Sequence, residues 1–322
     1  MKKLLTLLLI LLSSVSLLAC RKRANKQPFR ANKIRIGILQ YMEHNSLTEA
    51  RRGFIEQLKT EGYKEGDNLK ISYQNAQGDQ SNLQVISEKL IEKNKLILAI
   101  ATPAAQSLAS LTSKTPILFT AVTDPLSADL VKSLKNPGGL VTGVSDQAPI
   151  AKQIDLLGQA VPHAKRVGLL YSSSERNSEI QIKQAQKQLL KAGYKVTKKT
   201  VTSTNDVQDA ARSLMAKTDV IFVPTDNTLA STMPMLAELS LEKHVPIIGG
   251  STDMVDAGGL LTYGCNYEQL GKQVAKQAVK ILKGQDPARL PVQYPKQVDL
   301  HVNREMAKKL GIDLSKLSEE KK

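Results

Sequence analysis

From Ile34 onward, short apolar runs alternate with stretches whose apolar residues recur at helical spacing. Ile34-Arg35-Ile36-Gly37-Ile38-Leu39 reads as a strand. Leu47, Ala50, Phe54 and Leu58 then share one helical face over 47–61, and Gly62 supplies the helix stop. A second strand is expected over 69–73, a helix over 80–93 and a third strand over 96–101. Another helix starts at Pro103, and a fourth strand covers 117–120. Strands alternating with helices predict an α/β fold with parallel sheets.

The pattern then repeats. Arg166-Val167-Gly168-Leu169-Leu170 echoes Arg35-Ile36-Gly37-Ile38-Leu39 at an offset of 131 residues (166 against 35), and Gly193-Tyr194 echoes Gly62-Tyr63 at the same offset. Val245-Pro246-Ile247-Ile248 echoes Thr115-Pro116-Ile117-Leu118 at nearly that offset. One register and one element order predict two similar Rossmann-like lobes. The second lobe reads as strands over 166–171, 195–201, 219–223 and 246–249, with helices over 175–192, 206–216 and 228–242. A long amphipathic helix over 267–283, a strand near 298–302 and a helix near 304–310 follow. Crossings between lobes are expected near 144–147, 262–265 and 287–292, a three-segment hinge. The expected limits are 34–145 plus 264–290 for the first lobe, 146–263 plus 291–314 for the second, and a frayed tail over 315–322.

In parallel sheets, ligands bind beyond the carboxyl ends of strands, where helix N-termini also point. Residues just after the strands are therefore the candidates. After the first come Gln40, Tyr41 and Glu43, a ring for an apolar group and a carboxylate for an ammonium. After the third come Thr102, Pro103 and Ala104, a capping residue with backbone N–H groups left uncovered for an anion. Thr123 and Asp124 follow the fourth. In the second lobe the matching places hold Tyr171, Ser172, Ser173 and Ser174, then Asp226 and Asn227, then Gly250 and Ser251. Asp226 is the preferred partner for an amino group, with an Asx turn or N-cap as the plainer reading.

The chain has 322 residues, 41% hydrophobic and 23% charged, which suits two globular lobes with real cores. Its first twenty residues change the picture. Lys2 and Lys3 precede an apolar run over 4–12, and Leu17-Leu18-Ala19-Cys20 closes the segment. This is the layout of a secretory signal over 1–20, and the end looks like a bacterial lipobox that places lipid on Cys20. Leu18 is bulkier than usual at its position. A basic tether over 21–33 follows, and the folded part is expected outside the cytoplasmic membrane. A net charge of +15 suggests nucleic acid, but that address, 4% aromatics and the lack of finger spacing argue against it. Lipid or wall polymer is the simpler anionic neighbour. With Cys20 lipidated, Cys265 has no partner and is expected to be buried.

Catalytic patterns are absent from the sequence. There is no Walker loop, G-x-G-x-x-G or G-x-S-x-G elbow, and His44, His163, His244 and His301 lack metal-ligand spacing. No cofactor and no metal are expected. Only Glu43, Asp124 and Asp226, if they faced one cleft, leave an extracellular hydrolase as a remote alternative.

Gly37-Ile38-Leu39-Gln40-Tyr41-x-Glu43-His44, Ala101-Thr102-Pro103-Ala104-Ala105-Gln106, Thr120-Ala121-Val122-Thr123-Asp124-Pro125 and Pro224-Thr225-Asp226-Asn227 together resemble one family. It is the ABC-transporter substrate-binding lipoproteins of the tryptophan/tyrosine-binding type, and the resemblance spans about 34–312. It implies a type I periplasmic-binding-protein-like fold, no enzymatic activity, and an aromatic amino acid as ligand, tryptophan before phenylalanine or tyrosine. It also implies a monomer that serves an ABC permease with its ATPase. Tyr41, Tyr171 and Tyr263 are then candidates to flank a ring. Another small metabolite on the same scaffold, such as a branched-chain amino acid, is the runner-up, and a sensor would share the architecture.

Overall fold

The computed structural model describes residues 33–315 and 317. The expected signal segment, the lipid site at Cys20, the tether up to residue 32 and most of the expected tail lie outside the described residues.

The first lobe is one parallel sheet of β1 (Ile34–Gln40), β2 (Leu69–Asn75), β3 (Leu96–Ile100), β4 (Ile117–Val122) and β5 (Val141–Ser145). Its order is β2-β1-β3-β4-β5. β3 and β4 are buried along their whole length, as expected of central strands covered by helices on both faces. Those helices include α1 (Asn45–Thr60), α2 (Gln80–Lys93) and α3 (Thr102–Leu111).

The second lobe carries β6 (Arg166–Ser172), β7 (Lys195–Val201), β8 (Val220–Phe222), β9 (Ile247–Ile248), β10 (Leu261–Gly264) and β11 (Asp299–Val302). Around them pack α4 (Ile150–Ala160), α5 (Arg176–Lys191), α6 (Val207–Met215), α7 (Asn227–Lys243), α8 (Thr252–Asp256) and α10 (Arg304–Leu310). The sheet order β11-β10-β9-β8-β6-β7, read from β7, repeats the order of the first sheet. Gly62 and Gly193 end α1 and α5 with φ of +90° and +88°, so the repeat extends to the backbone of the helix stops. β11 departs from the all-parallel expectation. It enters opposite Gly264, at the carboxyl end of β10, and can only run back antiparallel.

The helix α9 (Tyr267–Leu282) falls between β10 and β11 of the second sheet in sequence but packs on the first lobe. Leu270, Val274, Ala275 and Ala278 join the apolar cluster built by β1, β3, β4 and α1. Two glycines make this possible. A Cβ on Gly53 of α1 would stand 2.1 Å from the Glu268 carbonyl oxygen, and one on Gly271 would stand 2.0 Å from that of Ala50.

The chain passes between lobes after β5, after β10 and before β11. The third passage falls later than the expected 287–292. Gln293 bridges to Val144, its N–H donates to the Gly143 carbonyl at 2.9 Å, and its own carbonyl accepts from Ser145 N at 2.8 Å. Those bonds satisfy an otherwise open edge of β5, so the segment leaves the first lobe only beyond Gln293. Pro287, read as part of a crossing, starts a short 3-10 turn, Pro287–Arg289, instead.

Candidate functional site

The carboxyl ends of the two sheets face each other across a cavity lined by both lobes. His44, Leu47, Ala121, Thr123, Asp146 and Tyr267 are among its walls, with Asn177, Thr225, Asp226, Asn227, Ala230, Ser251 and Met254 opposite. The enclosed space is narrow, about 10 Å³, room for roughly one water molecule. A small molecule can reach it only if the lobes part.

Four helix N-termini contribute to these walls: α1 through His44 and Leu47, α5 through Asn177, α7 through Asn227 and α8 through its cap Ser251. Such partial positive ends favour carboxylates, and at α1 and α7 the protein's own acids, Asp253, Glu175 and Asp226, already take that place. Buried acids supply the opposite sign. Asp226 caps α7, its Oδ1 accepting from Leu229 N at 2.9 Å and its Oδ2 from Ser172 N at 2.7 Å. Burial, and then the charge of Glu175, push its carboxyl well above the ordinary 3.8. Glu175 accepts from Asn227 N at 3.1 Å and Thr228 N at 2.9 Å, so both acids hold the same helix start.

Asp146 follows β5, only 3% exposed. Its Oδ2 accepts the Tyr267 hydroxyl at 2.9 Å, and its Oδ1 has no hydrogen-bond partner. Burial raises its carboxyl above the ordinary value, against the help of Tyr267 and Thr123. The Thr123 hydroxyl is near enough to favour the anion without bonding Oδ1.

The lobes also touch directly. His44 Nδ1 faces Asp253 Oδ2 at 3.3 Å, His44 Nε2 faces Asn227 Oδ1 at 3.0 Å, and Ser46 N donates to Asp253 Oδ2 at 3.4 Å. Burial alone would keep the imidazole neutral, but the hydrogen bond and charge of Asp253 outweigh it and raise the His44 value. Asp253 shows the converse. Its burial opposes ionisation, and His44 draws its carboxyl below the ordinary range.

The family model of ABC transporter substrate-binding proteins matches residues 35–319. The chain belongs to that family. This substrate-binding protein is 40% identical over 295 residues to the tyrosine-binding protein of Clostridioides difficile, covering 91% of this chain and 85% of the relative. It matches an ABC domain from Streptococcus pneumoniae in complex with L-Trp at a TM-score of 0.85 and 40% identity, over 88% of this chain and 96% of that one. It also matches the ligand-free, open structure of a substrate-binding protein with adhesive properties from Clostridium difficile, again 40% identical, over 89% of this chain and 97% of that one. There the TM-score falls to 0.67. Equal identity with unequal superposition separates conformation from relatedness. This structure superposes better on the ligand complex than on the ligand-free, open form.

Of the residues nominated from the sequence, the substrate-binding protein brings Thr123, Asp226, Asn227 and Ser251 to the cavity wall. The others are not part of that wall. Gln40 is fully buried, and its Nε2 donates to the Met42 carbonyl at 2.8 Å. Tyr41 is 2% exposed and donates to the Gly78 carbonyl at 3.2 Å. Glu43 is exposed and accepts from Asn75 at 3.0 Å. Thr102, Pro103 and Ala104 are packed into the start of α3. Asp124 accepts the backbone N–H and hydroxyl of Ser127 at 3.0 and 2.7 Å. Ser172 and Ser174 pair their hydroxyls at 2.8 Å, and the Ser173 hydroxyl donates to the Val201 carbonyl at 3.2 Å. Gly250 makes room for protein: a Cβ there would lie 2.1 Å from the Pro224 carbonyl carbon.

The three nominated tyrosines stand outside the cavity lining. Tyr171 packs against the core of the second lobe, and Tyr263 lies under the Lys152 ammonium at 5.3 Å, beside a separate surface groove. The aromatic wall is Tyr267. Among the described residues no cluster of His, Cys, Asp and Glu is arranged to hold a metal, and no helix is long and apolar enough to cross a membrane. Cys265 is buried, and burial pushes its thiol upward, away from the reactive thiolate.

Proposed function

We propose that this chain is the extracytoplasmic receptor of an ABC importer and binds an aromatic amino acid between its lobes. The observation that carries the reading is the composition of the interlobe cavity. Helix N-termini suit a carboxylate, buried acids suit an ammonium, and Leu47, Ala121, Ala230, Met254 and Tyr267 form an apolar wall on which a ring can pack once the lobes part. The relatives named for tyrosine binding and solved with L-Trp support the same ligand class. Thr123, Asp226, Asn227 and Ser251 are the nominated residues we retain as ligand neighbours, joined by Asp146, Asn177 and Tyr267.

In this reading the protein does no chemistry. Ligand holds the lobes together, and the closed form is what a permease with its ATPase recognises. The Lys2, Lys3 and Leu17–Cys20 pattern supports a lipid anchor on Cys20 at the outer face of the membrane, with the folded part acting as a monomer.

The test is thermal unfolding of the purified protein against all twenty amino acids, after unfolding and refolding to strip bound ligand. A ligand at 100 times its Kd adds roughly 2.7 kcal/mol of stability. A selective rise with tryptophan, phenylalanine or tyrosine is expected. A flat panel from folded protein would remove the amino-acid assignment.

A further inference from the structure

A buried carboxylate oxygen without a partner is costly, and folded proteins rarely keep one. Asp146 Oδ1 is such an atom, and it borders the interlobe cavity. The cavity has a second. Asn177 is 4% exposed, and its Nδ2 donates to the Thr225 carbonyl at 2.8 Å, which fixes the amide so that Oδ1 is the free end. That Oδ1 also lacks a partner. One orphan acceptor comes from the end of β5 and the other from the start of α5, on opposite sides of the same space. A ligand donating several N–H groups and a positive charge would satisfy both.

The other charged groups of the cavity are already engaged. Both oxygens of Asp226 accept backbone N–H groups, and both ring nitrogens of His44 are taken by Asp253 and Asn227. We propose that Asp146, through Oδ1, receives the ammonium of the bound amino acid, with Asn177 Oδ1 as second acceptor across the cleft. This rests on the amino-acid reading above and moves the ammonium site from Asp226, the sequence-based choice, to the hinge. Asp226 becomes a positioning residue that holds the start of α7. Tyr267 orients the Asp146 carboxylate from its other oxygen. Because Asp146 sits where the chain passes between lobes, filling this site secures the hinge and both walls at once.

The experiment is calorimetric titration of L-tryptophan, L-phenylalanine and L-tyrosine, and of the deaminated analogue indole-3-propionate, into the wild-type protein and Asp146→Asn. Loss of a buried ion-pair partner predicts weaker amino-acid binding on the order of 100-fold, with analogue binding unchanged or improved. Asp146→Ser, which removes the charge without placing an amide in the space, should show the same split if the asparagine variant does not fold. Asp226→Asn should weaken amino acid and analogue alike. Wild-type affinity for amino acids in a folded Asp146 variant would overturn the proposal, as would equal losses for amino acid and analogue. Wild-type protein that binds no α-amino acid would overturn the functional reading itself, and this inference with it.

Discussion

His44 Nδ1 lies 3.3 Å from Asp253 Oδ2, and the two residues belong to different lobes. The contact exists only while the cleft is shut, so it is part of the free energy of closure. The raised imidazole value and the lowered carboxylate value give its pH window. The His44 contribution is complete below the ordinary imidazole value of 6.5 and is lost as pH rises through the raised closed-state value. The Asp253 contribution is present above the ordinary 3.8 and is lost only in stronger acid. Ligand affinity is therefore expected to decline as pH rises above neutrality. Asp226, Glu175, Asp146 and Tyr267 also face this region, so the comparison that isolates His44 is wild type against His44→Gln. The variant should bind less tightly at pH 6 and show a flatter profile; parallel profiles would contradict the assignment.

Asp226 should matter first for stability. Asp226→Ala leaves Ser172 N and Leu229 N without acceptors and removes the cap of α7. A loss of about 2–4 kcal/mol is expected in denaturant unfolding. The raised carboxyl also means that the folded state retains a proton the unfolded state releases above 3.8. This group's contribution therefore falls as pH climbs from acid toward its folded value. The slope of stability against pH between 4 and 7 should be shallower in Asp226→Asn.

The crossing of α1 and α9 admits no side chain at Gly53 or Gly271. Gly271→Ala forces the helices apart and should cost at least about 1–3 kcal/mol. The midpoint of thermal unfolding would report it. A substitution with no effect would mean that the helices approach less closely in solution.

Ala230 lies on α7 against the cavity. Ala230→Phe places a ring in the space assigned to the ligand. Binding should be abolished while the unfolding midpoint of ligand-free protein stays within a few degrees of wild type. Retained binding would move the ring site elsewhere in the cleft.

Much of the fold was legible because β1, β3, β6 and their helices state their periods plainly, and Gly62 and Gly193 punctuate them in register. β5 was not, since Thr142 and Gly143 interrupt a run of only five residues. α4 begins at Ile150 without a side-chain cap, and α8 is five residues long, so neither carries a start signal strong enough to read. These omissions explain the gaps in the site. Strand-end reasoning reached Thr123, Asp226, Asn227 and Ser251, but Asp146 follows a strand that had not been recognised. Tyr267 follows β10 by three residues, yet its place depends on α9 returning to the first lobe, a long-range packing event. The contact of His44 across the lobes has no sequence signal, because its partners, Asn227 and Asp253, are 183 and 209 residues away. Tyr41, Tyr171 and Tyr263 are near strand ends in sequence, but their rings are spent on a carbonyl, a core and a lysine.

The return of α9 has a consequence for synthesis. Ribosomes deliver β1 to β5 first, but the first lobe's apolar face around Phe54 stays bare until residues 267–282 emerge. The earlier-made lobe is therefore not finished early. Any product truncated before Leu282 would carry an incomplete helix layer and an uncovered Gly53 groove, marking it for proteolysis rather than leaving a usable half.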